Sequence, residues 1–173
     1  VVPAQTTVLK HDHFDIALSN LCVLRLNDPR RFGSVHWQPI EVGAPKTHKL
    51  LQKLGPEPLS EAFNAQWLYQ LSRQRKVAVK SFIMNSATVV GAGNIYANEA
   101  LFLSQIHPQK PAGKLTKPQC KKLVKYLKEV LAAAIEQGGT TLKDFVSPEG
   151  KPGYFKQDLN VYGRENQACK VCQ

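Results

Sequence analysis

The chain has 173 residues, of which 43% are hydrophobic and 21% charged, so it is predicted to be an ordinary globular protein and not a disordered tail. It contains no run of the roughly 18 apolar residues that span a membrane and no charged-then-apolar leader, so we expect neither a membrane protein nor a secretory precursor. The 23 Lys and Arg outnumber the 13 Asp and Glu, and the net charge of +10 indicates a polyanionic partner.

Residues 6–37 are predicted to be β-structure, because apolar residues alternate with polar or small ones at Phe14, Ile16 and Leu18. A turn at 19–20 leads to a second strand, Val23 to Leu26, and a turn at 28–31 leads to a third, Ser34 to Trp37. His11 and His13 are alternate residues of the first strand and should point to one face. No third metal ligand is near them, so a phosphate contact or simple surface exposure is the better interpretation.

The turn Asp28-Pro29-Arg30-Arg31-Phe32-Gly33 combines two guanidinium groups with an aromatic ring. An Arg can bind a phosphate or fill a vacated base position, and a Phe can wedge between bases. Alternatively the turn is simply solvated and Phe32 packs into the core, an interpretation that composition alone favours because arginines are common in loops.

Breaker-rich segments at 43–45 and 55–58 predict a linker to a helical part. Ser60 is the predicted N-cap of a first helix that buries Phe63, Trp67, Leu68 and Leu71. A second helix covers about Val77 to Met84. The basic run Arg73-Gln74-Arg75-Lys76, with Lys80 one turn beyond, is either a solvated helix end or part of a cationic binding surface.

The segment Val89-Val90-Gly91-Ala92-Gly93-Asn94-Ile95-Tyr96 predicts a sharp turn and then a helix that runs to about Ser104. Free backbone N–H groups and the helix dipole make such an N-terminus a phosphate site. A helix–turn–helix corner capped by Asn94 is an equally good interpretation. A dinucleotide-binding fingerprint is excluded, because it needs a third Gly where Tyr96 stands.

The clearest predicted helix opens with the capping box Thr116-Lys117-Pro118-Gln119 and ends at Gly138-Gly139. Its apolar stripe consists of Leu123, Val124, Leu127, Val130, Leu131, Ala134 and Ile135. The opposite face carries Lys117, Lys121, Lys125 and Lys128, which is typical of a solvated helix surface.

The cysteines divide into two kinds. Cys22 and Cys120 stand alone and are predicted to be buried, unreactive thiols. Cys169 and Cys172 have the spacing of half a tetrahedral zinc site, which needs two further ligands. Such thiols indicate an intracellular protein. Both chain ends are predicted to be truncations, because the start at Val1 lacks Met and the cysteine pair stops one residue before the end.

No catalytic set of side chains is recognisable, neither a Ser-His-Asp triad, a Walker loop, a metalloprotease helix nor a carboxylate pair placed for acid–base work. A Gly- and Pro-rich loop with Lys143 and Lys151 could close over a ligand, but is by default a linker. The charged groups are mostly cationic, which favours binding a phosphate backbone over breaking a bond.

Taken together, these motifs resemble the formamidopyrimidine-DNA glycosylase family, whose members excise oxidised purines from DNA. The resemblance extends from about His11 to Cys172, and the joint order of its segments along the chain is specific. These segments are Lys10-His11-Asp12-His13, Asp28 to Gly33, Leu54 to Leu59, Val89 to Tyr96 with Glu99, Gln137 to Phe145, Lys151 to Phe155, and Val161-Tyr162-Gly163-Arg164. The endonuclease-VIII branch fits less well in the segments 137–145 and 151–155.

The resemblance implies a role for particular residues. Arg30 would fill the space left by the flipped base, with Phe32 as the adjacent wedge, and the DNA-binding set is His11, Arg30, Phe32, Lys76, Lys80 and Asn94. The lesion-recognition residues are Glu99, Lys143 and Tyr154. Cys169 and Cys172 would be the first half of a four-cysteine zinc finger with one zinc ion. Phosphate contacts, a plug and a pocket lid are what base flipping requires.

The implied fold class is α+β. Residues 1–57 would be the C-terminal part of a β-sandwich catalytic domain plus linker, and residues 58–150 a helix–two-turn–helix DNA-binding domain that ends in a base-recognition loop. Residues 151–173 would be an incomplete zinc-finger hairpin. The implied partner is double-stranded DNA with oxidised purines or abasic sites, bound by a monomer in the bacterial cytoplasm.

The resemblance also implies a bifunctional glycosylase and abasic-site lyase in which the amine of an N-terminal proline attacks the sugar, assisted by a glutamate. This sequence has no counterpart of that proline and glutamate, nor of the family's catalytic lysine and zinc-finger arginine. No catalytic residue is therefore assigned, and the chain alone is predicted to be inactive. Pro3 is no substitute, because its nitrogen is in a peptide bond. The alternatives are a non-catalytic nucleic-acid-binding remnant and a zinc-ribbon interaction module.

Overall fold

Three antiparallel strands form a small sheet near the start of the chain. The structure is a computed structural model that describes residues 1–136 and 159–173. The strands lie in the order β1-β3-β2, and are β1 (Val2–Pro3), β2 (Asp12–Ala17) and β3 (Cys22–Asn27). β2 and β3 form the predicted hairpin, and across it the Arg25 guanidinium donates two hydrogen bonds of 2.9 Å to the Asp15 carboxylate. This bidentate pair adds a specific cross-strand contact to the ladder.

Two predicted details of the sheet are wrong. Ser34 to Trp37 form no strand, because none of the described strands lies beside them to complete a hydrogen-bonded ladder, and Trp37 is 87% exposed. His11 and His13 are not alternate residues of one regular strand. The β2 strand begins after His11, and a register shift between Asp12 and Phe14 places His13 in a bulge.

The helical part is built around one long helix. The described residues contain the helices α1 (Ala65–Ser72), α2 (Val79–Ile83), α3 (Asn94–Leu103) and α4 (Lys117–Glu136), with 3-10 turns at Ile40–Val42, Pro45–Thr47 and Ala112–Lys114. α1 and α3 pack against α4, and the fully buried core includes Phe63, Leu68, Ile83, Leu101, Leu123 and Leu127. The predicted stripe of α4 is confirmed except at Ile135, which is 65% exposed. None of the helices described is long and apolar enough to cross a lipid bilayer.

The capping box of α4 is confirmed. The Gln119 backbone N–H donates to the Thr116 hydroxyl at 3.3 Å, and the Thr116 N–H donates to the Gln119 side-chain oxygen at 3.2 Å. The predicted cap of α1 is wrong. The Ser60 hydroxyl donates to the Glu57 carbonyl, and Asn64 caps the helix by accepting the Trp67 N–H at 2.9 Å.

Backbone hydrogen bonds fix the segments on both sides of α2. The Gly113 N–H donates to the Arg75 carbonyl at 2.8 Å, and a side chain at Gly113 would place Cβ 2.9 Å from that oxygen. Before the helical part, the Gly55 N–H donates to the Ser86 carbonyl at 2.7 Å. The breaker-rich segment at 55–58 is therefore docked on the α2–α3 connection rather than free.

Candidate nucleic-acid interface

The turn at residues 28–33 presents Arg30 and Phe32 to solvent. The Asp28 carboxylate accepts N–H bonds from Gly33 at 2.6 Å, from Arg30 at 3.1 Å and from Arg31 at 3.0 Å. These bonds, that from Gly33 above all, hold the pKa of Asp28 below its ordinary value. The Arg30 guanidinium lies 4.9 Å from the centre of the Phe32 ring, which is 79% exposed. The alternative in which Phe32 packs into the core is therefore wrong, and the tip is a fixed turn with a cation and an exposed ring.

The histidines lie at the base of this tip. The half-buried His11 accepts the Asp28 N–H on its carbonyl at 2.9 Å, and Nε2 of His13 lies 3.1 Å from the Asp28 carbonyl. The bulge at His13 thus turns its ring toward the tip. The described residues contain no group of three or more potential metal ligands here or elsewhere.

The basic run 73–76 separates into a structural arginine and exposed cations. Arg73 donates to the Tyr69 carbonyl at 3.0 Å, and to the Ser72 hydroxyl and the Leu115 carbonyl at 2.7 Å each. Its guanidinium also stacks 3.9 Å from the centre of the Tyr69 ring. Arg75 and Lys76 are exposed on the turn that follows. The interpretation of the run as a solvated helix end is wrong for Arg73, which links the end of α1 to Leu115, two residues before α4.

The start of α3 has the geometry of an anion site. Gly91 has φ +73°, a conformation that favours glycine, and Gly93 occupies the N-cap position. No described side chain caps the helix, so the predicted cap by Asn94 is wrong, because Asn94 is the first helical residue. The Asn94 side chain is exposed and its oxygen accepts from Asn98 at 3.3 Å. An uncapped helix N-terminus presents N–H groups and a positive dipole to an approaching anion.

One cleft brings two of the predicted residues together. Lys80 and Asn94 line a cleft of about 740 Å³, and Val161, Tyr162 and Glu165 line the same cleft. Lys80 is half-buried at the start of α2, where its N–H donates to the Pro108 carbonyl at 3.1 Å. The segment 161–165 reaches this cleft from the C-terminal end of the chain, far from Lys80 in sequence.

Glu99 is almost completely buried, at 2% exposure, and binds the segment that lines this cleft. Its Oε1 accepts the N–H groups of Val161 and Tyr162 at 2.9 and 3.0 Å. Its Oε2 accepts the N–H and the side-chain amide of Asn160 at 2.7 and 2.9 Å. Burial alone would raise the pKa of Glu99, but these four donors outweigh it and hold the pKa below its ordinary value.

The structure tests the predicted burial of Cys22 and Cys120, whereas the zinc-ligand role of Cys169 and Cys172 stays a prediction. Cys120 is fully buried, and burial raises the pKa of its thiol. Cys22 is only half-buried on β3, so the prediction that it is buried is wrong. Cys169 accepts the Val171 N–H at 3.4 Å, and backbone N–H bonds lower the pKa of the Cys169 thiol. Two thiols separated by two residues, one of them with a lowered pKa, have the spacing of half a zinc site.

The remaining predicted residues lie either on α4 or outside the part of the chain that the structure describes. The lysine face of α4 is solvated at Lys117, Lys121 and Lys125, as predicted, while Lys128 donates to the Ser60 carbonyl at 2.8 Å. Lys143 and Tyr154 lie outside the described residues, as do the segments 137–145 and 151–155 and the predicted helix stop at Gly138. Two features were not predicted from the sequence. One is the binding of Asn160 by Glu99, and the other is the structural role of Arg73. For Arg73 the only signal was its place in the basic run, three residues before the exposed Lys76.

Comparison with known proteins supports one family. Residues 54–146 match the family described as the formamidopyrimidine-DNA glycosylase H2TH domain. A formamidopyrimidine-DNA glycosylase of Hydrogenovibrio crunogenus is 58% identical over 172 residues, which cover 99% of this chain and 60% of that protein. One of Alcanivorax borkumensis is also 58% identical and is covered to 62%. The chain thus spans about three fifths of the length of these relatives.

Solved structures agree with the sequence match. The crystal structure of MutM (Fpg) from Thermus thermophilus is similar with a TM-score of 0.82 at 37% identity, over 96% of this chain and 62% of that one. Lactococcus lactis Fpg in complex with DNA that contains an abasic site is similar with a TM-score of 0.81 at 29% identity, over 99% of this chain and 62% of that one. The mixed fold, with its small sheet and helices, is therefore shared with these proteins.

Proposed function

The chain belongs to the formamidopyrimidine-DNA glycosylase family, and we propose that the protein that carries it repairs oxidised purines in double-stranded DNA. The reaction would hydrolyse the N-glycosidic bond of 8-oxoguanine or a formamidopyrimidine and then nick the strand by β,δ-elimination. The observation that carries the proposal is the fixed tip at 28–33, with Arg30 and Phe32 exposed on it. A general DNA-binding surface needs cations, whereas a base-flipping protein also needs a plug and a wedge.

The roles of the side chains follow from their chemistry. Arg30 would enter the duplex and occupy the space of the extruded base, and the exposed Phe32 ring would separate the neighbouring bases. Lys76, Lys80 and Asn94 would bind backbone phosphates, with the uncapped start of α3 adding N–H donors. His11, at the base of the tip, would contact the same backbone. Lys143 and Tyr154 are proposed, on the resemblance alone, to contact the extruded base.

The proposed domain boundaries are those implied by the sequence, with the sheet at 1–57 as part of a β-sandwich and the helical domain at 58–150. The segment 151–173 would belong to a zinc finger in which Cys169 and Cys172 hold one zinc ion with two further ligands that the chain does not supply. Zinc would fix the fold of that finger. The protein would act as a monomer on the bacterial chromosome.

The catalytic groups are proposed to lie outside these 173 residues. The test is incision and borohydride trapping on a duplex with one 8-oxoguanine, with an undamaged duplex as the control. We expect the protein that carries this chain to nick the damaged duplex and to form a covalent adduct, and the 173 residues alone to bind without either. Binding without a nick by both would support a non-catalytic nucleic-acid-binding protein. An adduct from the 173 residues alone would contradict the placement of the nucleophile.

A further inference from the structure

The segment 159–162 is held to the helical domain by one carboxylate. Glu99 lies on α3, and its side chain reaches three consecutive backbone N–H groups, those of Asn160, Val161 and Tyr162, and the Asn160 side-chain amide. A carboxylate offers about four lone-pair positions, so four donors fill its capacity. No acceptor position of Glu99 is left for a base edge. Its described surroundings therefore favour a use other than direct contact with a lesion.

The same segment is fixed by apolar packing. Leu159 is 7% exposed and packs with Ile95, Val130 and Ala134 of α3 and α4. Leu159 thus inserts between the two helices while Glu99 binds the next three residues. Two independent contacts fix a short segment that has no regular secondary structure of its own.

We propose that Glu99 is a positioning residue, which docks the segment 159–162 on α3 and thereby builds one wall of the cleft that holds Lys80 and Asn94. The wall consists of Val161, Tyr162 and Glu165, which line the same cleft as Lys80 and Asn94, both predicted to bind DNA. The part of this inference that concerns DNA rests on the proposed function, whereas the docking itself does not. Three successive N–H groups form a concavity that binds an anion, and here the anion is a side chain of the same chain.

Glu99→Gln is the variant that tests the docking of the segment 159–162 most directly. Gln keeps the size of Glu but replaces one oxygen by an NH2 group, which would face either the Asn160 pair or the Val161 and Tyr162 pair of donors. Two of the four hydrogen bonds are lost whichever way the amide turns. Glu129→Gln is the matched control, because Glu129 is an exposed carboxylate on α4 with a single 3.8 Å ion pair to Lys125.

The first measurement is amide hydrogen exchange in the protein that carries this chain. In Glu99→Gln we expect the amides of residues 160–162 to exchange about a hundredfold faster, the effect of losing two hydrogen bonds to a charged group, while those of the α4 core do not change. Unchanged exchange at 160–162 would overturn the proposal. Equal acceleration throughout α4 would also overturn it, because it would show a general loss of stability. If Glu99→Gln does not fold, Asn160→Ala, which removes one donor only, should give a smaller acceleration confined to the same residues.

The second measurement is affinity for a duplex with an abasic-site analogue and for the undamaged duplex. Because the docked segment lines the same cleft as Lys80 and Asn94, both predicted to bind DNA, Glu99→Gln should weaken both complexes by the same factor of about ten. A loss of affinity for the damaged duplex alone would overturn the positioning role and would indicate that Glu99 contacts the lesion. If the unmodified protein shows no preference for the damaged duplex, the proposed function fails, and the exchange measurement still decides the docking.

Discussion

Arg73 stabilises the helical part of the chain, whereas the nearby Lys76 is proposed to bind DNA. Its three hydrogen bonds to the Tyr69 carbonyl, the Ser72 hydroxyl and the Leu115 carbonyl contribute about 1 kcal/mol each, and the stack on Tyr69 adds about 0.5 kcal/mol. Release of the Arg side chain in the variant returns about 1.5 kcal/mol of conformational entropy. Arg73→Ala should therefore lower the free energy of unfolding by about 2 kcal/mol, or the melting temperature of a chain of this size by about 4–8 °C.

Arg75→Ala is the control, because it removes the same charge from an exposed side chain two residues away and should change the free energy of unfolding by less than about 0.5 kcal/mol. The assay is urea unfolding followed by circular dichroism, with both variants and the unmodified chain at one pH and salt concentration. Equal midpoints for Arg73→Ala and Arg75→Ala would refute the reasoning, since they would show that the contacts of Arg73 contribute nothing measurable.

The other predictions concern binding, packing and pH. Lys76→Ala should weaken binding to every duplex and flatten the slope of log affinity against log salt concentration by about one. Lys125→Ala, on the solvated face of α4, should leave that slope unchanged. Equal slopes for the two variants would contradict the proposal that Lys76 binds a phosphate. Gly55→Ala should destabilise by about 1–3 kcal/mol in urea, because the new Cβ would lie 2.7 Å from the Thr88 carbonyl carbon, and an unchanged midpoint would count against that packing. Because the pKa of Glu99 lies below its ordinary 4.5 in the folded state, its contribution to stability is complete above about pH 4.5 and is lost as the pH falls through the folded pKa. Unmodified protein should thus lose stability below that pH more steeply than Glu99→Gln, and parallel curves would speak against it.

Local signals in the sequence predicted the long helix and its cap, because the capping box and the apolar stripe of α4 depend only on residues within a few turns. The start of α1 was missed because Ser60 and Asn64 are both good N-cap residues, and their identities alone do not decide between them. The strand at 34–37 was predicted from its own residues, although a strand exists only beside a partner.

The candidate site was predicted unevenly for the same reason. The exposed tip at 28–33 and the helix corner before Asn94 are contiguous motifs, so their residues could be named from the sequence. Glu99 binds residues more than 60 positions away, and Arg73 reaches Leu115 across 42 positions. No spacing rule predicts such pairs, because they depend on how α1, α3 and the C-terminal segment pack against α4.

We propose that the protein that carries this chain recognises damaged DNA through the tip at Arg30 and Phe32, and not only through its positive charge. The most direct measurement compares the affinity of the protein that carries this chain for a duplex with an abasic-site analogue and for the undamaged duplex, with and without Arg30→Ala. We expect tighter binding to the abasic duplex. We also expect Arg30→Ala to remove most of this preference while changing the affinity for undamaged DNA little, because a plug acts only where a base has left the stack. Equal losses of affinity on both duplexes would show that Arg30 acts only as one more cation and would contradict its role as a plug.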